Sequence, residues 1–181
     1  QYFWLRTFIG IDIPFVGSDN AEMVQNISLL GAALQRGASM AIVLPDHPNA
    51  GRAFSDAGLA RLRDEAPQAL EEGRLQAFTL ATSMRDNGTE HYRPIYVHAK
   101  VAIVDDIWTT VGSGNLNNRG MRDDTEMNVA TLDRELAYDL RLMLQGEHLG
   151  LLHDDDLLAL TLLRNKTALT KKEREQVTRI R

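Results

Sequence analysis

Apolar positions fall into two rhythms along this chain. Between Ala21 and Arg36, Met23, Ile27, Leu30 and Leu34 recur at three- and four-residue steps. That is the spacing of one helix face, and Gly37 supplies the stop. Ser39–Leu44 is an unbroken apolar run closed by Pro45, which predicts a buried strand. A second helix is predicted from a capping Asp56 to about Glu72, with Leu59, Leu62 and Leu70 on its apolar side, ended by Gly73. Leu75 to Leu80 makes the next strand. Ahead of these, Tyr2-Phe3-Trp4-Leu5 reads as the tail of a core strand, and Thr7 to Asn20, with Gly10, Pro14 and Gly17, as a loop. Asp46 to Arg52 is a turn-rich loop whose His47 reads as a surface residue.

The second half turns on Tyr96 to Asp105. Val97, Ala99, Val101, Ala102, Ile103 and Val104 predict a strand buried on both faces. Thr82 to Pro94, which includes His91, is polar and reads as an irregular connection into that strand, placed to act as a lid. Ile107 to Val111 is its hairpin partner, and Glu126 to Leu132 is one more strand. Helices follow at about 134–148, 154–163 and 170–181. Helix–strand alternation of this kind predicts an α/β fold, a mixed β-sheet flanked by helices. Residues 1–150 form the main domain on this reading, and 151–181 a C-terminal helical extension.

Composition narrows the classes. The 181 residues suffice for one sizeable core, and 44% hydrophobic with 25% charged residues is ordinary for a soluble globular chain. No apolar run approaches the roughly 18–20 residues of a membrane span. Cysteine is absent, which excludes disulfides and thiolate metal sites. A formal net charge of −5 leans away from nucleic acid as a partner, because phosphate backbones are met with basic surfaces. The opening Gln1-Tyr2-Phe3-Trp4 carries no initiator Met and no basic-then-apolar leader to read.

The chemistry concentrates on two residues. Side chains alternate across a strand, so His98 and Lys100 project from the same face. An imidazole and an ammonium within an apolar strand are costly unless they are paired or used. Downstream, Gly112-Ser113-Gly114-Asn115 combines glycines, which let backbone approach a ligand, with neutral donors suited to phosphate oxygens. No His pair sits at metal-ligand spacing.

The whole pattern, His98-x-Lys100-x4-Asp105-x6-Gly112-Ser113-x-Asn115, resembles the HKD signature of the phospholipase D superfamily. Asn115-Leu116-Asn117-Asn118-Arg119 and Arg122-Asp123-Asp124-Thr125-Glu126-Met127 extend the likeness. They resemble the second half of a two-motif phospholipase D more than a single-motif nuclease. The resemblance implies a phospholipase D-like α-β-α sandwich, the second half of a pseudo-two-fold pair. It implies hydrolysis of a glycerophospholipid to phosphatidic acid and free headgroup through a phosphohistidine intermediate, with neither cofactor nor metal. His98 would be nucleophile or acid. Lys100, Asn115 and Ser113 would hold the phosphoryl oxygens, and Glu126 would hydrogen-bond the imidazole. Asp105 joins the catalytic set through the motif, but it lies just past the strand end and at odd offset from His98, as a structural partner would.

No other histidine is followed by Lys two residues on, so the resemblance demands a second HKD motif. Its source would be an N-terminal half, in the same protein or a separate chain, or else a homodimer mate. The other implied partner is a phospholipid membrane surface, met by a soluble, secreted or periplasmic enzyme. Phospholipases of this kind include secreted bacterial effectors restrained by a cognate inhibitor protein. Three further readings stand beside this one: a cardiolipin-synthase-like phosphatidyltransferase, a nucleic-acid phosphodiesterase, and a non-catalytic lipid- or protein-binding half.

Overall fold

The computed structural model describes residues 2–6, 21–46, 51–117, 120–121, 124–151, 170–172 and 174–175. Strand β1 (Tyr2–Arg6) is followed by helix α1 (Ala21–Gln35), β2 (Ser39–Leu44), α2 (Gly51–Glu65), α3 (Pro67–Glu71) and β3 (Leu75–Thr79). A hairpin of β4 (Ala81–Asp86) and β5 (Thr89–Pro94) leads to β6 (Val101–Val104), β7 (Trp108–Gly112), β8 (Asn128–Thr131) and α4 (Arg134–His148).

Six strands make one mixed sheet in the order β3-β2-β1-β6-β7-β8. β1, β2 and β3 run parallel, as strands joined through helices must, while β6, β7 and β8 are successively antiparallel. Alternation along β2 divides the core between the two faces. Met40, Ile42 and Leu44 pack with Ile27 and Leu34 of α1 and Leu62 of α2. Ala41 and Val43 join Val101, Ile103 and Ala137 of α4 on the other face. Met23, Ile27, Leu34, Ile42, Leu62 and Ile103 are wholly buried, each contributing about 1.5–3 kcal/mol of hydrophobic stabilisation. The predicted flanked mixed sheet is therefore the observed architecture.

Helix ends follow local chemistry. Gly37, at φ 95°, turns the chain out of α1. Asp133 caps α4, its Oδ1 accepting from the Leu136 N–H at 3.0 Å.

Three expectations need correction. The second helix is two helices: α2 starts ahead of Asp56, which lies within it and is no cap. Pro67, lacking an N–H, cannot continue α2 and instead opens α3 at its first position. The connection at 82–94 is a regular hairpin, turned by Asn87 (φ 47°) and Gly88 (φ 82°), the Asn-Gly pair that type I′ geometry favours. Both its strands are exposed throughout, so no buried face left an apolar period to read. Finally, the ladder of the central strand covers only Val101–Val104. Its neighbours run out: β1 ends its pairing at Arg6↔Val101, and β7 ends at Gly112. Residues 7–20, His47, Asn118, Arg119, Arg122, Asp123, the predicted helix at 154–163 and most of 170–181 lie outside the described residues.

Candidate active site

Although the ladder starts at Val101, the alternation of side chains starts earlier. Val97, Ala99, Val101 and Ile103 all pack on the α4 side of the sheet. Tyr96, His98, Lys100 and Ala102 therefore belong to the opposite side. The last cross-strand bond, from the Gly112 N–H to the Lys100 carbonyl at 3.1 Å, fixes Lys100 at the mouth of the β6–β7 pair.

Lys100 is 7% exposed, and its Nζ donates to the His98 carbonyl oxygen at 3.0 Å. Burial pulls its ammonium below the ordinary lysine range, while the carboxylate of Glu126 pushes the other way. A buried cation bonded to a neutral carbonyl is an incomplete arrangement, and an anion would complete it.

The segment after β7 is built to place Asn115. Ser113 and Met127 exchange two bonds: the Ser113 N–H donates to the Met127 carbonyl, and the Met127 N–H donates to Ser113 Oγ, both at 3.0 Å. The Gly114 N–H donates to Asn128 Oδ1 at 3.1 Å, and Asn128 Nδ2 to Thr110 Oγ1 at 3.3 Å. A Cβ at Gly114 would press to 3.0 Å from Asn128 Oδ1 and lie 3.6 Å from the Glu126 Cβ, so the absence of a side chain here lets the loop sit close against Asn128. The outcome is a cavity of about 260 Å³ lined by Lys100, Ala102, Trp108, Asn115, Met121 and Asn128, among others.

His98 stands at the surface beside this cavity's lysine, its ring stacked on Tyr96 with centroids 5.9 Å apart and planes at 19°. Glu126 is half-buried, and its charge acts on Lys100; among the described residues no hydrogen bond joins it to the imidazole. Ser113 is exposed, with its Oγ engaged by Met127. Asp105 lands at the other end of β6 from Lys100, in the β6–β7 turn at φ 54°, roughly 16 Å away along an extended strand. Its neighbour Asp106 takes a bidentate pair from Arg141 of α4, with both bonds at 2.6 Å. His91 is exposed on β5.

Two contributors escaped the sequence reading. Asn128 lines the cavity and holds Gly114, and its signal was the two-residue step from Glu126. Tyr96 bears the same step to His98. A larger cavity of about 380 Å³ lies between α4 and β2–β3, lined by Val43, Phe78, Leu80, His148 and Leu149, and contains none of the predicted site residues. Among the described residues, no cluster of three His, Asp or Glu side chains is placed to hold a metal ion, and no helix is long and apolar enough to cross a membrane.

A family profile described as "Cardiolipin synthase, PLD-like domain" matches residues 7–146, most of the chain and all of this site. The chain belongs to the phospholipase D superfamily. Within that superfamily it is 27% identical to cardiolipin synthase A of Pseudomonas aeruginosa (strain LESB58) over 139 residues, covering 77% of this chain and 24% of that protein. It is 41% identical to cardiolipin synthase A of Pseudomonas entomophila over 56 residues, 31% of this chain and 12% of the relative. A phospholipase D of Phytophthora infestans is 34% identical over 86 residues, 38% of this chain and 5% of that one. The chain thus spans at most about a quarter of the length of these relatives. Among solved structures, NucT from Helicobacter pylori superposes with a TM-score of 0.49 at 16% identity, covering 82% of this chain and 79% of that one.

Proposed function

We propose that this chain supplies one HKD half of a phospholipase D, with His98, Lys100, Asn115 and Glu126 as its contribution to the site. The observation that carries the reading is the shared cavity of Lys100 and Asn115, a buried ammonium and a neutral amide converging where a phosphoryl group would sit. In the first step an imidazole nitrogen attacks phosphorus, the P–N bond forms, and the bond to the headgroup oxygen breaks. The leaving alkoxide takes a proton from the histidine of the second motif. Water then attacks phosphorus, gives its proton to that same histidine, and the P–N bond breaks to release phosphatidic acid. Lys100 and Asn115 stabilise the charge gathering on the phosphoryl oxygens. Ser113 braces the loop that carries Asn115, Glu126 balances the lysine and is the carboxylate that orients the histidine on this reading, and Asp105 shapes the hairpin turn.

The second HKD motif comes from an N-terminal half, and the substrate is presented at a phospholipid surface. A second reading, favoured by the cardiolipin synthase relatives, keeps the first step and replaces water with the hydroxyl of another lipid. The test is headgroup release from defined phospholipid vesicles by the complete protein and its His98→Ala form, with products identified by mass. We expect release to fall at least about a thousandfold in the variant. Phosphatidic acid as product fits the hydrolase, and a diphosphatidyl lipid the transferase. Undiminished release by His98→Ala, or cleavage of nucleic acid and no lipid, overturns the reading.

A further inference from the structure

Resting on that reading, we infer that Tyr96 is a positioning residue for His98, its ring holding the imidazole in the orientation from which it meets phosphorus. The two rings stack at 5.9 Å and 19°, offset in the way aromatic pairs favour. Tyr96 is 51% exposed, so its ring lies at the surface with the imidazole. The backbone that carries both rings is pinned from behind. Val97, between them, is buried on the α4 side, and the Ile95 N–H donates to the Leu80 carbonyl at 2.8 Å. Beyond His98, its own carbonyl is held by Lys100 Nζ. The backbone is fixed on both sides of the histidine, yet an exposed imidazole on a fixed backbone still rotates about two bonds, and among the described residues the tyrosine ring stacked on it favours one orientation. Reaction rates are sensitive to such alignment, because a reacting atom displaced by about 1 Å can lose about a hundredfold.

The experiment joins a spectroscopic readout on this chain to turnover by the complete protein. In carbon–proton spectra of the chain with labelled histidine, the His98 ring protons, assigned by their disappearance in His98→Ala, lie in the shielding region of the Tyr96 ring. They should move downfield in Tyr96→Ala and stay near their place in Tyr96→Phe. In vesicle turnover, Tyr96→Ala should lower kcat about 5- to 50-fold at nearly unchanged KM, and Tyr96→Phe should recover most of that loss. Turnover unaffected by Tyr96→Ala while His98→Ala abolishes it overturns the inference and leaves the proposed function standing. Tyr96→Phe as impaired as Tyr96→Ala overturns it as well, since the hydroxyl and not the ring would then matter. If His98→Ala turns over normally, the proposed function falls and the inference with it.

Discussion

Replacing Lys100 by Met separates a residue kept for chemistry from one kept for stability. Methionine preserves the length and most of the apolar volume of the lysine stem, so the packing beneath β6 survives. What is lost is one charged hydrogen bond, Nζ to the His98 carbonyl at 3.0 Å, about 1.5–3 kcal/mol, together with attraction to Glu126. What is relieved is the withholding of an ammonium from water at 7% exposure, an effective penalty of several kcal/mol. These oppose each other, and for the ammonium itself desolvation is the leading influence, Glu126 the lesser one. We therefore expect the variant to equal or exceed the wild type in stability by about 1 kcal/mol, a rise in Tm of about 2–4 °C for a chain of this size. Turnover by the complete protein should nonetheless fall about 10²- to 10³-fold, the usual loss when one charge-stabilising donor is removed.

The pH dependence has a definite sign. The unfolded chain holds its lysine proton up to about pH 10.5, whereas the folded chain releases this one earlier. In the window between the two the unfolded state binds more protons, so wild-type stability rises with pH there. The advantage of Lys100→Met is full below that window and shrinks as pH climbs through it. Urea unfolding across neutral to alkaline pH measures both effects. A variant less stable than wild type by more than about 2 kcal/mol would refute the reasoning, for Lys100 would then be a structural residue.

Two other outcomes bear on the scaffold. Gly112→Ala drives a Cβ into the Met127 carbonyl oxygen and the Asn128 side chain, and the former is backbone fixed by β7–β8 pairing; a loss of about 2–4 kcal/mol in urea unfolding is expected. Arg141→Ala removes the bidentate pair with Asp106 and the guanidinium resting 5.3 Å over the Tyr138 ring, which should cost about 1–2 kcal/mol without altering KM, read from denaturation and from vesicle kinetics.

Where one face of an element is buried, the sequence announced it. Met23, Ile27 and Leu34 traced α1, and the run 39–44 traced β2, because burial against a common core is what writes the apolar period. The hairpin at 81–94 is exposed along both strands, so they carry no such period, and its letters read as a polar connection. The motif residues were legible as a string, and the alternation that sets His98 beside Lys100 could be counted. The Tyr96 stack and the Asn128 brace could not be foreseen in the same way. Each depends on where a side chain turns after the backbone is set, and on a register between β7 and β8 that the letters do not state.

The geometry also bears on whether this chain can act unaided. Displacement at phosphorus places the attacking and leaving atoms on opposite sides, so one imidazole cannot serve as nucleophile and leaving-group acid in the same step. Of the described histidines besides His98, His91 sits on the exposed hairpin, and His148 lines the cavity beneath α4, across the sheet from Lys100. Neither can face His98 across a phosphate held by Lys100 and Asn115 unless the sheet itself is rearranged. In the proposed reaction the acid of a second motif approaches from the open side, where His98 and Tyr96 are exposed and where Met127, at 78% exposure, borders the loop that carries Asn115. On the proposed function, a second motif docking there would bury the imidazole, exclude water from the phosphorus and leave the charge of Glu126 acting in a drier setting, where it is screened less.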